Sequence, residues 1–390
     1  MNREIDAYRF FFPAGWLFGV AGTVLWILFL HHFMTVYPRD WHADLMTGGF
    51  LPLFAAGFLM TAVPRFTGSF GPERGDLMLT AALAASLLIT VFLPNRLPFH
   101  ASLGLFSLLM LAFCWRRIHR RSTYPPPPLI FALVAFTTQT AASIFQAAHD
   151  LTGRWEALDT LGRLFLYEGF QLLLILGVGI FLIPNLLGHP TCTPPVTMGI
   201  RPRDAKPLPF FRLVPAPLWA VSAILIGSFA LEVWVSAVAA IAIRAAVFTL
   251  VSFHDWKIHR FPLVRSTMAW SLWISCWLLL LGLWLPAAFP SYAVHVRHLT
   301  YVGGFGLMTL AVATRVTLAH GGHDLALERT SRFFKAAVAL ILLATVTRSI
   351  ARLLPEAAYW NHLLFAAWAW IAGLVAWGWF ALPRIVRTTE

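Results

Sequence analysis

The sequence predicts an all-α polytopic membrane protein of twelve transmembrane helices, and three observations carry that reading. Of its 390 residues, 59% are hydrophobic, and the mean hydropathy is +0.72. Soluble domains use roughly 45–50% apolar residues, and one buried core could not absorb the surplus, so lipid must be the solvent. The apolar residues fall into runs of about 20, the length that crosses a bilayer as a helix. Lysine and arginine gather in alternate short loops, as a charge-fixed topology requires.

The runs lie near 10–33, 43–63, 77–93, 99–115, 129–148, 162–183, 214–230, 233–252, 264–285, 294–317, 334–354 and 360–382. The first, Phe10–Phe33, lacks an Ala-x-Ala-like exit and leads straight into the second, so no cleavable signal peptide is expected. Placing both termini in the cytoplasm of a bacterial inner membrane puts most of the 29 Lys and Arg inside. Arg39, Arg96, Arg154, Arg163, Arg297 and Arg352 then face outward, while Arg244, Arg315 and Arg348 fall within spans. The net charge of +12 sits in these loops, which argues against a nucleic-acid partner and for the lipid bilayer. Cys114, Cys192 and Cys276 are isolated, so neither a disulfide framework nor a CxxC metal site is present. A Pro-rich basic stretch, 184–213, reads as an irregular cytoplasmic connector within a single integral membrane domain, 1–390.

A threefold pattern runs through the chain. The fourth span exits through Trp115-Arg-Arg-Ile-His119-Arg120, the eighth through Trp256-Lys-Ile-His259-Arg260, and the twelfth through Pro383-Arg-Ile-Val-Arg387. Spans two, six and ten carry Gly48-Gly-Phe50, Glu168-Gly-Phe170 and Gly303-Gly-Phe305 near their outer ends. The expectation is three parallel four-helix repeats, 1–121, 122–260 and 261–390, about a pseudo-threefold axis along the membrane normal. Chance likeness between apolar, Arg-flanked helices is the competing reading.

The segment Trp41–Pro72 is the most informative. A Trp-His pair stands at the mouth of an apolar run that ends in Thr-Ala-Val-Pro-Arg. A histidine there is costly unless something binds it, so a metal or haem comes into question. His42 and His298 open spans two and ten, each followed within two turns by Gly-Gly-Phe. The glycine pair removes bulk where a flat macrocycle or a neighbouring helix could press. His32 closes span one and His149 closes span five, the equivalent place in the pattern. One reading makes these imidazoles haem or copper ligands near the outer leaflet; the other makes them interfacial residues wetted by headgroups. His295 lies three residues before His298 on one helical face, and Met46 one turn below His42 is either a soft ligand or packing.

Arg315 and Arg348, in the inner and middle parts of spans ten and eleven, need an anion or polar partner. Glu168, Gln171, Gln139 and Gln146 are candidates, as are haem propionates. No partner for Arg244 is visible. His320, at a helix C-terminus before Gly321-Gly322, is either a ligand or a residue held by the helix dipole.

These residues resemble the NnrS family of membrane proteins, which respond to nitric oxide and contain haem and copper. The resemblance spans the chain. Its best parts are Trp41-His42-Ala43 through Gly57-Phe58-Leu59-Met60-Thr61-Ala62-Val63-Pro64 and Thr67-Gly68, then His298 through Thr314-Arg315-Val316 and His320-Gly321. Tyr8-Arg9-Phe10-Phe11-Phe12 and Thr347-Arg348 add weaker support. Asp44 and Leu45 stand where the family pattern has a second histidine and a glutamate. Gly179-Ile-Phe-Leu-Ile-Pro184 replaces an Arg-containing glycine motif, so the chain is a divergent member. The resemblance implies haem b at His42 and His298, copper as a second metal, and nitric oxide or a related small molecule as ligand.

Three functions compete. The first is a haem-binding inner-membrane protein of the nitric oxide or nitrosative-stress response, with Arg315 or Arg348 neutralising propionates. Its electron donor is unknown, because no quinol site or soluble donor domain stands out. The second is a transporter for an anionic small molecule, using the intramembrane arginines and helices broken near Pro52, without a redox cofactor. The third, a nitric oxide reductase subunit, needs a His-His pair within a span, whereas His31-His32 lies at a helix end.

Overall fold

A computed structural model describes residues 6–190 and 209–387. All regular structure among the described residues is helical. The long helices are α1 (Tyr8–Leu30), α2 (Arg39–Thr67), α3 (Arg74–Thr90), α4 (Leu97–His119), α5 (Leu129–Thr152) and α6 (Glu156–Leu187). After a single turn at Phe210–Leu213 come α7 (Ala216–Trp234), α8 (Ala237–His254), α9 (Thr267–Ala288), α10 (Pro290–His320), α11 (Arg332–Leu353) and α12 (Glu356–Val386). Eleven are long and apolar enough to cross a membrane. The expected third span is the exception: α3 has 17 residues, about 25 Å of helix against a hydrocarbon core of about 30 Å. Eleven of the twelve expected spans are matched by helices of spanning length, and α3, at the place of the third, is a shorter helix packed on α4.

Local chemistry sets the helix ends. Ser236, Ser266 and Ser331 cap α8, α9 and α11, each side chain accepting from the backbone N–H three residues on. Gly68 and Gly188, at φ 56° and 82°, end α2 and α6 in the left-handed conformation that a side chain disfavours. Four residues before each stands a proline, Pro64 or Pro184, whose carbonyl accepts from the residue after the glycine. The expected connector 184–213 begins later than the sequence suggests, because α6 continues to Leu187. Most of that connector, residues 191–208, lies outside the described residues.

Three helices bear π-helical turns at corresponding places: Leu45–Phe50 in α2, Phe165–Gly169 in α6 and Leu299–Gly306 in α10. Pro52 in α2, which has no N–H to give, stands two residues past the end of one of these stretches. The helix is therefore continuous at Pro52, not broken. These are also enclosed helices, with 89% of the apolar window of α2 buried and 72% in α6 and α10, against 22% in α7. Around them α4 packs on α5, α8 on α9, and α12 returns to α1. Arg9 donates to the Ile385 carbonyl at 2.6 Å, so the two described termini share one end of the bundle.

Candidate functional site

His42 lies just before the π turns of α2. Its Nδ1 is 2.9 Å from the carbonyl oxygen of Gly22 in α1. A carbonyl can only accept, so Nδ1 carries the proton and Nε2 presents a lone pair. His298 repeats the arrangement in α10, with Nδ1 donating to the Val294 carbonyl at 2.7 Å. Both histidines are half-buried. The edge of Trp26 meets the His42 ring at 6.0 Å and Tyr301 meets His298 at 5.7 Å. His42, His295 and Arg348 all lie within electrostatic range of His298. Anchoring one imidazole nitrogen on a backbone carbonyl fixes the tautomer and aims the other, the usual support of a metal-binding histidine.

The structure sets Arg348 in the last turn of its helix, not mid-span as the sequence suggests. There it donates to His295 Nδ1 at 2.7 Å, which occupies that imidazole and separates its role from that of His298. Among the described residues, no carboxylate lies within ion-pair distance of Arg348. His42, His298 and Arg348 are therefore brought to one end of the bundle.

The other expected residues are not joined to them. His32 is exposed in the loop after α1 with φ 62°. His149 donates from Nδ1 to the Arg154 carbonyl of its own loop at 2.8 Å. His320 meets Arg65, and Arg315 donates to Glu328 at 2.7 Å, both at the end that holds the termini. A carboxylate thus already neutralises Arg315, far along α10 from His298. No group of three or more His, Cys, Asp or Glu is arranged to hold one ion among the described residues.

The glycine pairs receive protein. A Cβ on Gly49 would run into the Phe18 ring, and one on Gly48 into Phe99 at 2.8 Å. On Gly303 it would meet Leu278 at 2.6 Å and Thr345 at 2.8 Å, and on Gly304 the backbone of Leu279 at 3.2 Å. Of the two uses the sequence left open, close approach of a neighbouring helix is the one realised. Met46 packs its sulfur over Gly22, the residue whose carbonyl holds His42.

Sequence reasoning missed a buried charge cluster beside His298. Glu168, within the π turns of α6, accepts from the Tyr301 hydroxyl at 3.0 Å and pairs with Arg297 at 3.4 Å and Arg244 at 3.7 Å. Glu232, near the end of α7, bonds Arg244 closely and Arg297 at 3.0 Å. Arg244 also lies over the Phe229 ring, 4.3 Å from its centroid. Two carboxylates and two guanidiniums cancel, which makes burial of all four tolerable. Glu168 is therefore committed here and serves neither Arg315 nor Arg348. The available signal was Glu168 inside one apolar run and Arg244 inside another, the latter with no visible partner. Gln139, another candidate, accepts instead from Ser107 at 2.8 Å.

Eleven long apolar helices, three of them enclosed by the others and with histidines and ion pairs at their ends, define a multi-pass helical membrane protein. The chain belongs to the NnrS family, whose description, NnrS protein, matches residues 6–388. No curated protein matches it. The free Nε2 of each histidine has the donor chemistry of an imidazole ligand to haem iron or another metal, and the Arg348 guanidinium has the charge to meet a carboxylate.

Proposed function

We propose that this protein is a haem-binding component of the nitric oxide response in the bacterial inner membrane, with its metal centre at the outer leaflet. The observation that carries the reading is the pair His42 and His298, on two enclosed helices, each with Nδ1 spent on a backbone carbonyl. Those two residues would hold the group, and Arg348 would neutralise its carboxylates. Bound haem supplies an iron that takes up nitric oxide when an axial position is open or exchangeable. The protein's own part is to fix the imidazole tautomers and to set the arginine beside them. Copper is a weaker expectation, since Met46 and the histidines offer soft and borderline donors but Asp44 is held by Arg96.

The same arrangement supports the threefold reading. The π turns recur in α2, α6 and α10, and the contacts of α4 with α5, α8 with α9, and α12 with α1 have one pattern. The excess of basic loops at the end holding the termini supports a cytoplasmic location for both. The transporter reading is weakened because Arg244 and Arg315 already have carboxylate partners and α2 stays continuous at Pro52.

The test is an optical spectrum of the detergent-purified protein, oxidised, reduced with dithionite, and reduced with nitric oxide. A Soret band that moves on reduction and again with the gas is expected. His42→Ala and His298→Ala should each abolish haem retention, whereas His149→Ala and His320→Ala should keep it. A colourless wild type, or unchanged spectra in the first two variants, would overturn the assignment.

A further inference from the structure

We infer that the cavity between α2, α6 and α10 is a binding site for a small, uncharged, lipid-soluble molecule that accepts one hydrogen bond. The cavity measures about 100 Å³. Its wall is nearly all apolar, with Phe54 from α2, Leu174 and Val178 from α6, and Phe305 and Val312 from α10. Two polar side chains interrupt it, Gln171 and Thr309. Gln171 is only 4% exposed, and its amide nitrogen has no hydrogen-bond partner among the described residues. A buried donor left unmade costs free energy, so a guest with an acceptor atom would be favoured there over a pure hydrocarbon.

Size narrows the class. An apolar cavity of about 150 Å³ holds benzene or xenon, so this one takes a guest smaller than an aromatic ring. A haem or a quinone ring is too large, and a charged oxyanion would have no counter-charge on these walls. What remains is a neutral molecule of two or three heavy atoms that partitions into lipid. Position adds to the argument. Phe305 lies seven residues beyond His298 on the same helix, roughly 10 Å at 1.5 Å per residue. A guest in the cavity would therefore rest beneath the histidine pair, within the membrane. Nitric oxide belongs to this class, and that last step rests on the function proposed above; the cavity and its donor do not.

The full-length protein in detergent provides the test, with xenon and nitrous oxide as probes. Xenon NMR of the wild type should give a saturable shift. Ala313→Leu, which adds three carbons to the wall, should lose the saturable part while eluting as the wild type does on size exclusion. Ala55→Leu, from the facing helix, serves if that variant does not fold. Gln171→Leu should keep xenon binding but move the infrared band of bound nitrous oxide, because the amide donor is gone. A linear xenon response that is equal in wild type and wall variants would overturn the proposal, and a lipid or detergent chain filling the cavity would give that result. An unmoved nitrous oxide band in Gln171→Leu would overturn the role of the amide. His42→Ala should leave xenon binding unchanged, so loss of the haem reading and loss of the cavity are read separately.

Discussion

Replacing Glu168 by Gln isolates the buried charge cluster with little change of shape. The cluster is neutral as it stands, and the substitution leaves it one positive charge in excess. Arg244, fully buried, and Arg297, 20% exposed, would then share Glu232 alone. Removing one partner of a buried pair typically costs about 3–5 kcal/mol. Two features pull the expectation to the lower end. Arg244 keeps Glu232 and the face of Phe229, and a glutamine carbonyl can still accept from Tyr301. We expect about 3 kcal/mol, read by denaturant unfolding in detergent with tryptophan fluorescence as the signal. The double variant Glu168→Gln/Arg244→Met restores neutrality through the remaining Glu232–Arg297 pair. Its cost should fall below the sum of the single costs by about 1–3 kcal/mol. Strict additivity, or a single-variant cost below about 1 kcal/mol, would refute the account of the cluster as one charge-balanced unit.

Two further outcomes follow from the packing and from the end that holds the termini. Gly49→Ala should destabilise by about 1–3 kcal/mol, because its methyl would overlap the Phe18 ring. Gly75→Ala, with nothing within 4 Å, should be neutral or stabilising in the same unfolding assay. His189, just past α6, is held below the ordinary imidazole value of 6.5, first by burial and then by the charges of Arg260 and Lys257. The unfolded chain takes up this proton near the ordinary value and the folded chain resists it. The corresponding stability is complete above the ordinary value and is lost as pH falls through the lowered one. His189→Gln should flatten stability against pH on the acid side, and an unchanged slope would remove His189 as the cause.

The long elements were open to sequence reading because lipid forces each span to satisfy its own backbone, which makes every span a local property. The boundaries moved by a turn or so where polar residues extend helices past the apolar run. Thus α2 begins at Arg39 and α10 at Pro290, which sets His42 and His298 inside the helices instead of at their openings. The π turns gave no such signal, since the same residues also suit an ordinary helix. What shifts the register there is packing against neighbours, as the glycine contacts with Phe18, Phe99 and Leu279 indicate. His42 and His298 were readable as exceptional because a histidine in an apolar run stands out; that His42 leans on the Gly22 carbonyl was not.

By itself the sequence determined the solvent, the helices, most of the spans and the family, all of which follow from local apolar length, loop charge and short motifs. Only the tertiary structure decided which charges meet. Tyr301 reaches Glu168 across 133 positions and Arg297 reaches Glu232 across 65. Arg315 turned instead to Glu328, 13 residues away. A buried charge takes whichever counter-charge the packing of helices brings within reach, and helix packing is fixed by shape and not by proximity along the chain.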